Sequence, residues 1–283
     1  QPDSRAASLR GGQTRTLGFI LPDLENASYA KLAKRLEQGA RVQGYQLLIV
    51  CSEDDPATEK ELAEMLASRH VDALLVASCL PPEDPFYLGL QTRGIPVLAI
   101  DRAMDDEYFA SVISEDMQGA IRLTDSLLAS QPQSIGLIGA VADIAISQQR
   151  ELGFRKAISY SAPQLIPQIQ YGDHFSREVG AHLCAKWIKE GRVPQAILTT
   201  SYVLLEGVLD ELVQHPELLA VTRLATFGDN RLLDYLPVRV NALPQQFPLI
   251  AEKALTLTLN AIQEQYKPGI HVIPRVLKVR AHD

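Results

Sequence analysis

Polar and aromatic side chains gather where apolar runs of this chain give way to loops. The segment "IDRAM" carries Asp101 and Arg102, "ISQQRELGF" carries Arg150, and "TTSYV" carries Ser201. "TFGDN" carries Gly228, Asp229 and Asn230, "PDLENASY" carries Asn26 and Ser28, and "GDHFS" adds Phe175. A carboxylate accepts hydrogen bonds from two sugar hydroxyls, and a guanidinium holds a phosphate or a ring oxygen. A helix N-terminus with free amides suits an anion, and an aromatic ring stacks on a sugar face. Each group also has a plainer explanation. Asn26 and Ser28 are good helix caps, Asp101 and Arg102 suit a surface ion pair, and Phe175 suits a core. Arg150, at a helix start where the dipole offers a cation nothing, is equally a solvated residue. One by one these signals are weak; repeated at successive strand ends, they point to a sugar-like ligand.

Catalysis has little support in the same residues. The chain contains no G-x-S-x-G elbow, Walker loop, G-x-G-x-x-G or H-E-x-x-H,. Its histidines, at 70, 174, 182, 215, 271 and 282, show no metal-ligand spacing beyond His174 and His182, which lack a nearby third ligand. Neither a metal nor a cofactor is expected. Cys51, Cys79 and Cys184 form no C-x-x-C and sit in or beside apolar runs, as small core residues of a reduced, cytoplasmic protein do,. A net charge of −7 argues against nucleic-acid binding by the folded body, because phosphate neutralisation needs clustered Lys and Arg,. The opening stretch is the exception, with Arg5, Arg10 and Arg15 against Asp3. No apolar run approaches the roughly 20 residues of a membrane span, and no basic-then-apolar leader resembles a secretory signal.

Hydrophobic periodicity supplies the elements that must hold these side chains. Strands are predicted at 16–21, 45–50, 73–78 and 96–101, with helices over 28–42 and 57–70 and a short one near 85–93. The pattern restarts with a helix around 117–129. Strands at 134–140, near 165–170, at 196–201 and at 224–228 then alternate with helices around 147–159, over 176–190 and over 203–213. A strand at 238–243, a helix at about 247–265 and a final strand at 271–279 close the chain. The strands are unbroken apolar runs, which marks a parallel sheet covered on both faces. The fold class is therefore α/β, with two doubly wound units in succession. Ligand is expected at the carboxyl ends of the strands, in a cleft between two lobes.

Together with the leader "QPDSRAASLRGGQTRTLGFIL", these segments resemble the lactose/galactose-repressor family of bacterial transcription regulators. In that family a helix-turn-helix headpiece precedes a hinge with a pattern like P-N-x-x-A-R-x-L, followed after a gap by T-x-x-I-G. Pro2, Asp3, Ala6, Leu9, Thr14, Leu17 and Gly18 fit this frame, while Asp3 replaces the usual Asn and Ala7 the usual Arg. "IPVLAIDRAM" and "RELGFRKAI" match the family's effector-pocket segments. "PDLENASY", "GYQLLIVCSED", "LPPEDPFY", "IDRAM" and "TFGDN" are similar to its fructose-responsive branch.

The resemblance implies a periplasmic-binding-protein-like fold with three crossovers, near 115–117, 242–244 and 268–270. Residues 1–15 would be a hinge remnant, 16–114 with 244–267 one lobe, and 118–241 with 270–283 the other. The implied effector is a phosphorylated fructose, fructose 1-phosphate ahead of fructose 1,6-bisphosphate. Asp101, Arg150 and Asp229 align with the family's hydroxyl and ring contacts, and Ser201 and Phe175 flank them, with Gly228 and Asn230 beside Asp229. Arg102 and the helix start Asn26, Ser28 and Tyr29 are the implied phosphate ligands. Ala6 and Leu9 belong to the hinge, where the family inserts a leucine wedge into the DNA minor groove. A homodimer is implied, with a tetramer as the alternative, and operator DNA is a partner only of the full-length protein. Effector binding would weaken operator binding, and the reverse by the same factor. Two rivals are a periplasmic sugar-binding protein of the same fold and a sugar-phosphate enzyme. For the second, Asp101 and Asp229 would serve as acid and base, but nothing nearby suggests tuned proton transfer.

Overall fold

The run TLGFIL forms strand β1 (Thr16–Leu21), buried from its second residue to its last. The structure, a computed structural model, describes residues 13–280; Ala6 and Leu9 lie outside them. After β1 come α1 (Ala27–Val42), β2 (Gln46–Cys51), α2 (Pro56–Ser68), β3 (Ala73–Val76), α3 (Phe86–Thr92), β4 (Val97–Ile100) and β5 (Ala110–Ser114). Then follow α4 (Asp116–Leu128), β6 (Ile135–Ala140), α5 (Ala145–Ser161), β7 (Gln168–Gly172), α6 (Arg177–Lys189), β8 (Ala196–Thr199) and α7 (Tyr202–Val213). A short α8 (Pro216–Val221), β9 (Arg223–Phe227), β10 (Val240–Leu243), α9 (Phe247–Ile262) and β11 (Gly269–Ile273) complete the order.

The chain divides into two units. The first holds the chain up to Ser114 and Gln246–Ile273, and the second holds Glu115–Gln245 and the chain from Pro274 onward. The first contains a parallel sheet in the order β2-β1-β3-β4-β5-β11. The second contains another, β7-β6-β8-β9-β10. In each, the opening strand lies inside the sheet, so the direction of winding reverses between β1 and β3 and between β6 and β8. In sheets of this kind ligands bind outside the carboxyl ends at such reversals.

Burial on both faces explains why the strands read as continuous apolar runs. Leu17, Phe19 and Leu21 pack with Leu32, Leu36, Ala254 and Leu255 of α1 and α9, whereas Ile20 packs with Ala63, Leu66 and Leu90 of α2 and α3. In the second unit Ile135 and Leu137 meet Leu123 and Phe154, and Ile138 and Ala140 meet Cys184, Trp187 and Leu205. The helices supply matching stripes: α1 buries Tyr29, Leu32, Ala33, Leu36 and Ala40, a spacing that keeps one face inward,. Asp55 and Ser176 start α2 and α6 by accepting from the amides of Thr58 and Val179,. No helix among the described residues is long and apolar enough to cross a membrane.

Three features depart from the sequence reading. Strand β5 is absent from it, because ASVIS is short and interrupts its apolar run with two serines. The six-residue α8 is absent too. The final strand, expected over 271–279, divides instead. Gly269–Ile273 pairs with β5 in the first sheet. Pro274 follows without an N–H to donate, and Lys278 then makes an isolated antiparallel bridge to Ala242 in the second unit. Residues 270–273, expected in the C-terminal lobe, thus belong to the first unit.

Helices α6 and α7 approach so closely that Gly180 and Gly207 face backbone. A Cβ on Gly207 would overlap the Arg177 carbonyl oxygen and the Gly180 main chain. Gly207→Ala should therefore destabilise the second unit by about 1–3 kcal/mol. The chain's only tryptophan, Trp187, is fully buried on α6 and reports the transition by fluorescence in urea; an unchanged midpoint would show that the helices can part at no cost.

Candidate functional site

In the first unit, β4 is followed by Asp101, whose amide still donates to the Val112 carbonyl at 2.9 Å. Asp101 has φ of 68°, a left-handed conformation uncommon outside glycine and concentrated at functional positions,. Its Oδ2 accepts from the Tyr29 hydroxyl at 2.9 Å. Tyr29 lies in the first turn of α1 and is buried; burial, then the neighbouring carboxylate, pushes its phenol well above the ordinary range. The phenol is therefore a fixed donor. Asn26 caps α1, its Oδ1 accepting from the Ser28 amide at 3.0 Å, so the capping explanation describes this residue.

Arg102 follows Asp101 and reaches the loop after β2. Its Nη1 and Nη2 donate to the two oxygens of Asp54 at 2.6 and 3.1 Å, and Nη1 also lies 3.4 Å from the Ser78 carbonyl oxygen. This is the expected ion pair, but hardly a surface one: the Arg102 side chain is 19% exposed. Its Nε is buried and has no hydrogen-bond partner among the described residues, which leaves a donor in place for an added acceptor.

Behind Ser78 stands a residue the sequence reading missed. Glu59, on α2, is fully buried and accepts from the Ser78 hydroxyl at 2.5 Å, the Cys79 amide at 2.7 Å and the Tyr87 hydroxyl at 2.8 Å. It pins the segment after β3 whose carbonyl meets Arg102. The sequence signal was its place on the apolar face of α2, one turn before Ala63 and two before Leu66. Cys79, half-buried beside it, has its thiol pushed up to about 12 by burial and by Glu59.

In the second unit, Arg150 is 8% exposed, which rules out the solvated alternative. Its Nε donates to Asp116 Oδ1 at 2.8 Å and its Nη1 to the Thr200 carbonyl at 2.6 Å, and its guanidinium stacks 4.3 Å from the centre of the Phe227 ring. Asp116 Oδ1 also accepts from Arg275 Nη2 at 3.1 Å. The hydroxyl of Thr200 is buried and has no partner among the described residues. Beyond β9, Gly228 takes φ of 87° and donates to the Leu243 carbonyl at 3.1 Å, which leads into Asp229. Asp229 accepts from Arg280 Nη2 at 2.7 Å, with Lys278 Nζ at 3.5 Å. Those two cations also flank Asp234 and hold its carboxyl below the usual range.

The remaining expected residues have structural duties as well. Asn230 accepts from the Leu232 amide at 3.0 Å, and Ser201 caps α7 by accepting from the Leu204 amide at 3.4 Å. Phe175 is half-buried against the second unit's core, as its plainer explanation held. Strand ends and the helices beside them thus carry Tyr29, Asp101 and Arg102 in one unit, and Arg150, Ser201 and Gly228–Asn230 in the other. Two surface grooves of about 360 and 530 Å³ in the second unit, beside Lys156 and Tyr160 and beside His182 and Lys186, include none of them. Among the described residues no group of three His, Cys, Asp or Glu could hold a metal ion. Asp54, Asp116 and Arg275 are additions that the sequence did not single out. Chemically, the arrangement offers oriented carboxylates for hydroxyl groups and guanidiniums for anionic or ring oxygens.

Residues 14–204 match the family described as periplasmic binding proteins and sugar-binding domain of LacI family. The fructose operon regulatory protein of Vibrio cholerae is 54% identical over 280 residues, which cover 99% of this chain and 85% of that protein. The catabolite repressor/activator of Escherichia coli is 41% identical over 279 residues, 98% of this chain and 83% of that one. A crystal structure of the Cra transcriptional dual regulator from Pseudomonas putida, in complex with fructose 1-phosphate, superposes with a TM-score of 0.89 at 50% identity. That match covers 95% of this chain and 99% of the other.

Replacing the Glu59 carboxylate tests its hold on the neighbouring thiol. In Glu59→Gln, Cys79 should alkylate faster than in the wild type under mildly alkaline conditions, because the thiolate loses a like charge. Site-resolved mass spectrometry reads the rates; equal rates would assign the Cys79 shift to burial alone.

Proposed function

The chain belongs to the family of periplasmic binding proteins and LacI-type sugar-binding domains, and on that premise we propose that it is the effector-binding and dimerisation part of a fructose-responsive transcription regulator. Its effector on this reading is a phosphorylated fructose, fructose 1-phosphate ahead of fructose 1,6-bisphosphate. One observation carries the proposal: a regulator half identical to this chain was solved holding fructose 1-phosphate. The strand ends described above have the matching chemistry.

Arg102 is assigned to the phosphate, with the helix start at Asn26, Ser28 and Tyr29. Its guanidinium already forks onto a carboxylate in the geometry a phosphate also accepts,, and its Nε adds a further donor. Asp101, Arg150 and Asp229 are assigned to sugar hydroxyls and the ring oxygen, with Ser201, Phe175, Gly228 and Asn230 alongside. Effector binding shifts the regulator away from its operator only so far as the effector prefers one arrangement of the protein, and operator opposes effector by the same factor. The ligand is bound and released unchanged, so no residue is assigned a catalytic role. The regulator acts in the cytoplasm as a homodimer, with a tetramer as the alternative assembly.

Calorimetry with fructose 1-phosphate and with fructose, followed by NMR of the recovered sugar, tests this reading. The phosphorylated sugar should bind saturably, at least about tenfold more tightly than fructose, as charge-assisted contacts to the phosphate require. Arg102→Met should remove most of that preference. Arg150→Lys, which keeps a charge in the buried position, should weaken both sugars. Absence of binding, or conversion of the sugar, would overturn the proposal.

A further inference from the structure

The chain passes between its two units three times, after Ser114, after Gln245 and after Ile273. Two residues of the second unit gather the segments at those passages. Arg275, two residues past the third, donates through Nη2 to Asp116, two residues past the first, at 3.1 Å. Through Nη1 it donates to the carbonyl of Leu243, just before the second, at 3.2 Å. Arg122 makes an independent stitch: its Nη2 lies 2.7 Å from Glu115 Oε2 and 3.1 Å from the Arg275 carbonyl oxygen. The packing is as close as the bonding. A Cβ on Gly119 would stand 2.7 Å from Leu243 Cδ2 and 3.5 Å from Arg275 Cδ, so α4 packs closely against both returning segments.

Asp116 is also the acceptor of Arg150. We propose that Arg275 is a positioning residue for Arg150, and that with Asp116 it forms a clasp joining the three passages to the effector contact; the first half rests on the reading of Arg150 given above. Asp116 and Arg275 are 9% and 4% exposed. In such a setting a carboxylate is held by its donors rather than by water. Both guanidiniums reach the same oxygen, Oδ1, and both lie over the Phe227 ring, at 4.3 and 5.3 Å from its centre. Arg275 thus holds the carboxylate oxygen that also receives Arg150. A ligand oxygen that recruits the Arg150 guanidinium competes with Asp116 for it. The change is felt at the residue where the chain first enters the second unit, and through Arg275 at the other two passages.

The test compares the wild-type chain, Arg275→Met, Asp116→Asn and the double variant, by calorimetry with fructose 1-phosphate and by amide exchange without it. Arg275→Met should bind about tenfold more weakly, the double variant should be no weaker than Asp116→Asn, and exchange should quicken at 114–117 and 243–246 but not in α1. Arg275→Lys keeps the buried charge and guards against simple unfolding. It should melt near the wild-type temperature yet bind more weakly, because an ammonium cannot span both acceptors. Wild-type affinity in both Arg275 variants, or losses that simply add in the double variant, would overturn the positioning role. Unchanged exchange at both passages would overturn the clasp. If the wild-type chain takes up no sugar phosphate, the effector reading and the positioning role fall together, and the exchange result alone decides the clasp.

Discussion

Burial of both faces of each parallel sheet is the constraint from which the rest of the structure follows. Leu17, Phe19, Ile20 and Leu21 are all fully buried on β1, as are Ile135, Leu137, Ile138 and Ala140 on β6. Each buried large aliphatic side chain contributes about 1.5–3 kcal/mol relative to exposure, and a polar group placed among them without a partner loses a comparable amount. Polar side chains are therefore driven off the strands and collect where the ladders stop. At those stops the backbone does what a strand interior cannot: Asp101 and Gly228 both take positive φ, turning the chain so that the next polar side chains stand beyond the sheet.

The two units meet the cost of charge burial differently. The first pairs Arg102 with Asp54, half of which is open to water, and sets the Tyr29 phenol as a donor to Asp101. The second buries the Arg150–Asp116–Arg275 group almost completely and closes it against the Phe227 ring. Exposed pairs such as Arg41–Glu37 and Arg93–Glu64 contribute at most about 1 kcal/mol. A buried group of this kind is commonly no more stabilising than apolar side chains of equal volume, but costly to break. Its value lies in fixing the orientation of Arg150, which an apolar substitute would not do.

The apolar runs made most of the fold legible, because a two-face-buried strand leaves few sequence alternatives. Strand β5 escaped because a serine near its start is satisfied inside the unit: Ser111 accepts from the Met104 amide at 3.2 Å, a contact no local pattern announces. The end of β11 escaped because the apolar run continues through Pro274 into a segment with a different partner. Among the candidate residues, Asp101, Arg102 and Asp229 were singled out by position, as polar residues at strand ends, and Arg150 as a cation at a helix start. Their partners were not. Asp116 is 34 residues from Arg150 and 159 from Arg275, and only the closed fold sets that distance to zero. Asn26, Ser201 and Asn230 show the opposite difficulty, since the side-chain oxygen that suits a ligand equally suits a cap, and each here serves as one.

Pairing before binding has a consequence for selectivity on the proposed reading. Arg102, the residue assigned to the phosphate, offers its guanidinium fork to Asp54. A neutral hydroxyl is a weaker acceptor than a carboxylate and gains little by displacing one; a phosphate brings charge-assisted bonds of at least equal strength. Discrimination against an unphosphorylated sugar then needs no clash in the site, because the resident Asp54 carboxylate sets the threshold that an incoming acceptor must exceed. The same exchange provides the coupling. A ligand moves a conformational equilibrium only by the difference in its affinity for the two states. That difference arises where a guanidinium trades a protein carboxylate for a ligand oxygen and thereby releases whatever the carboxylate was holding.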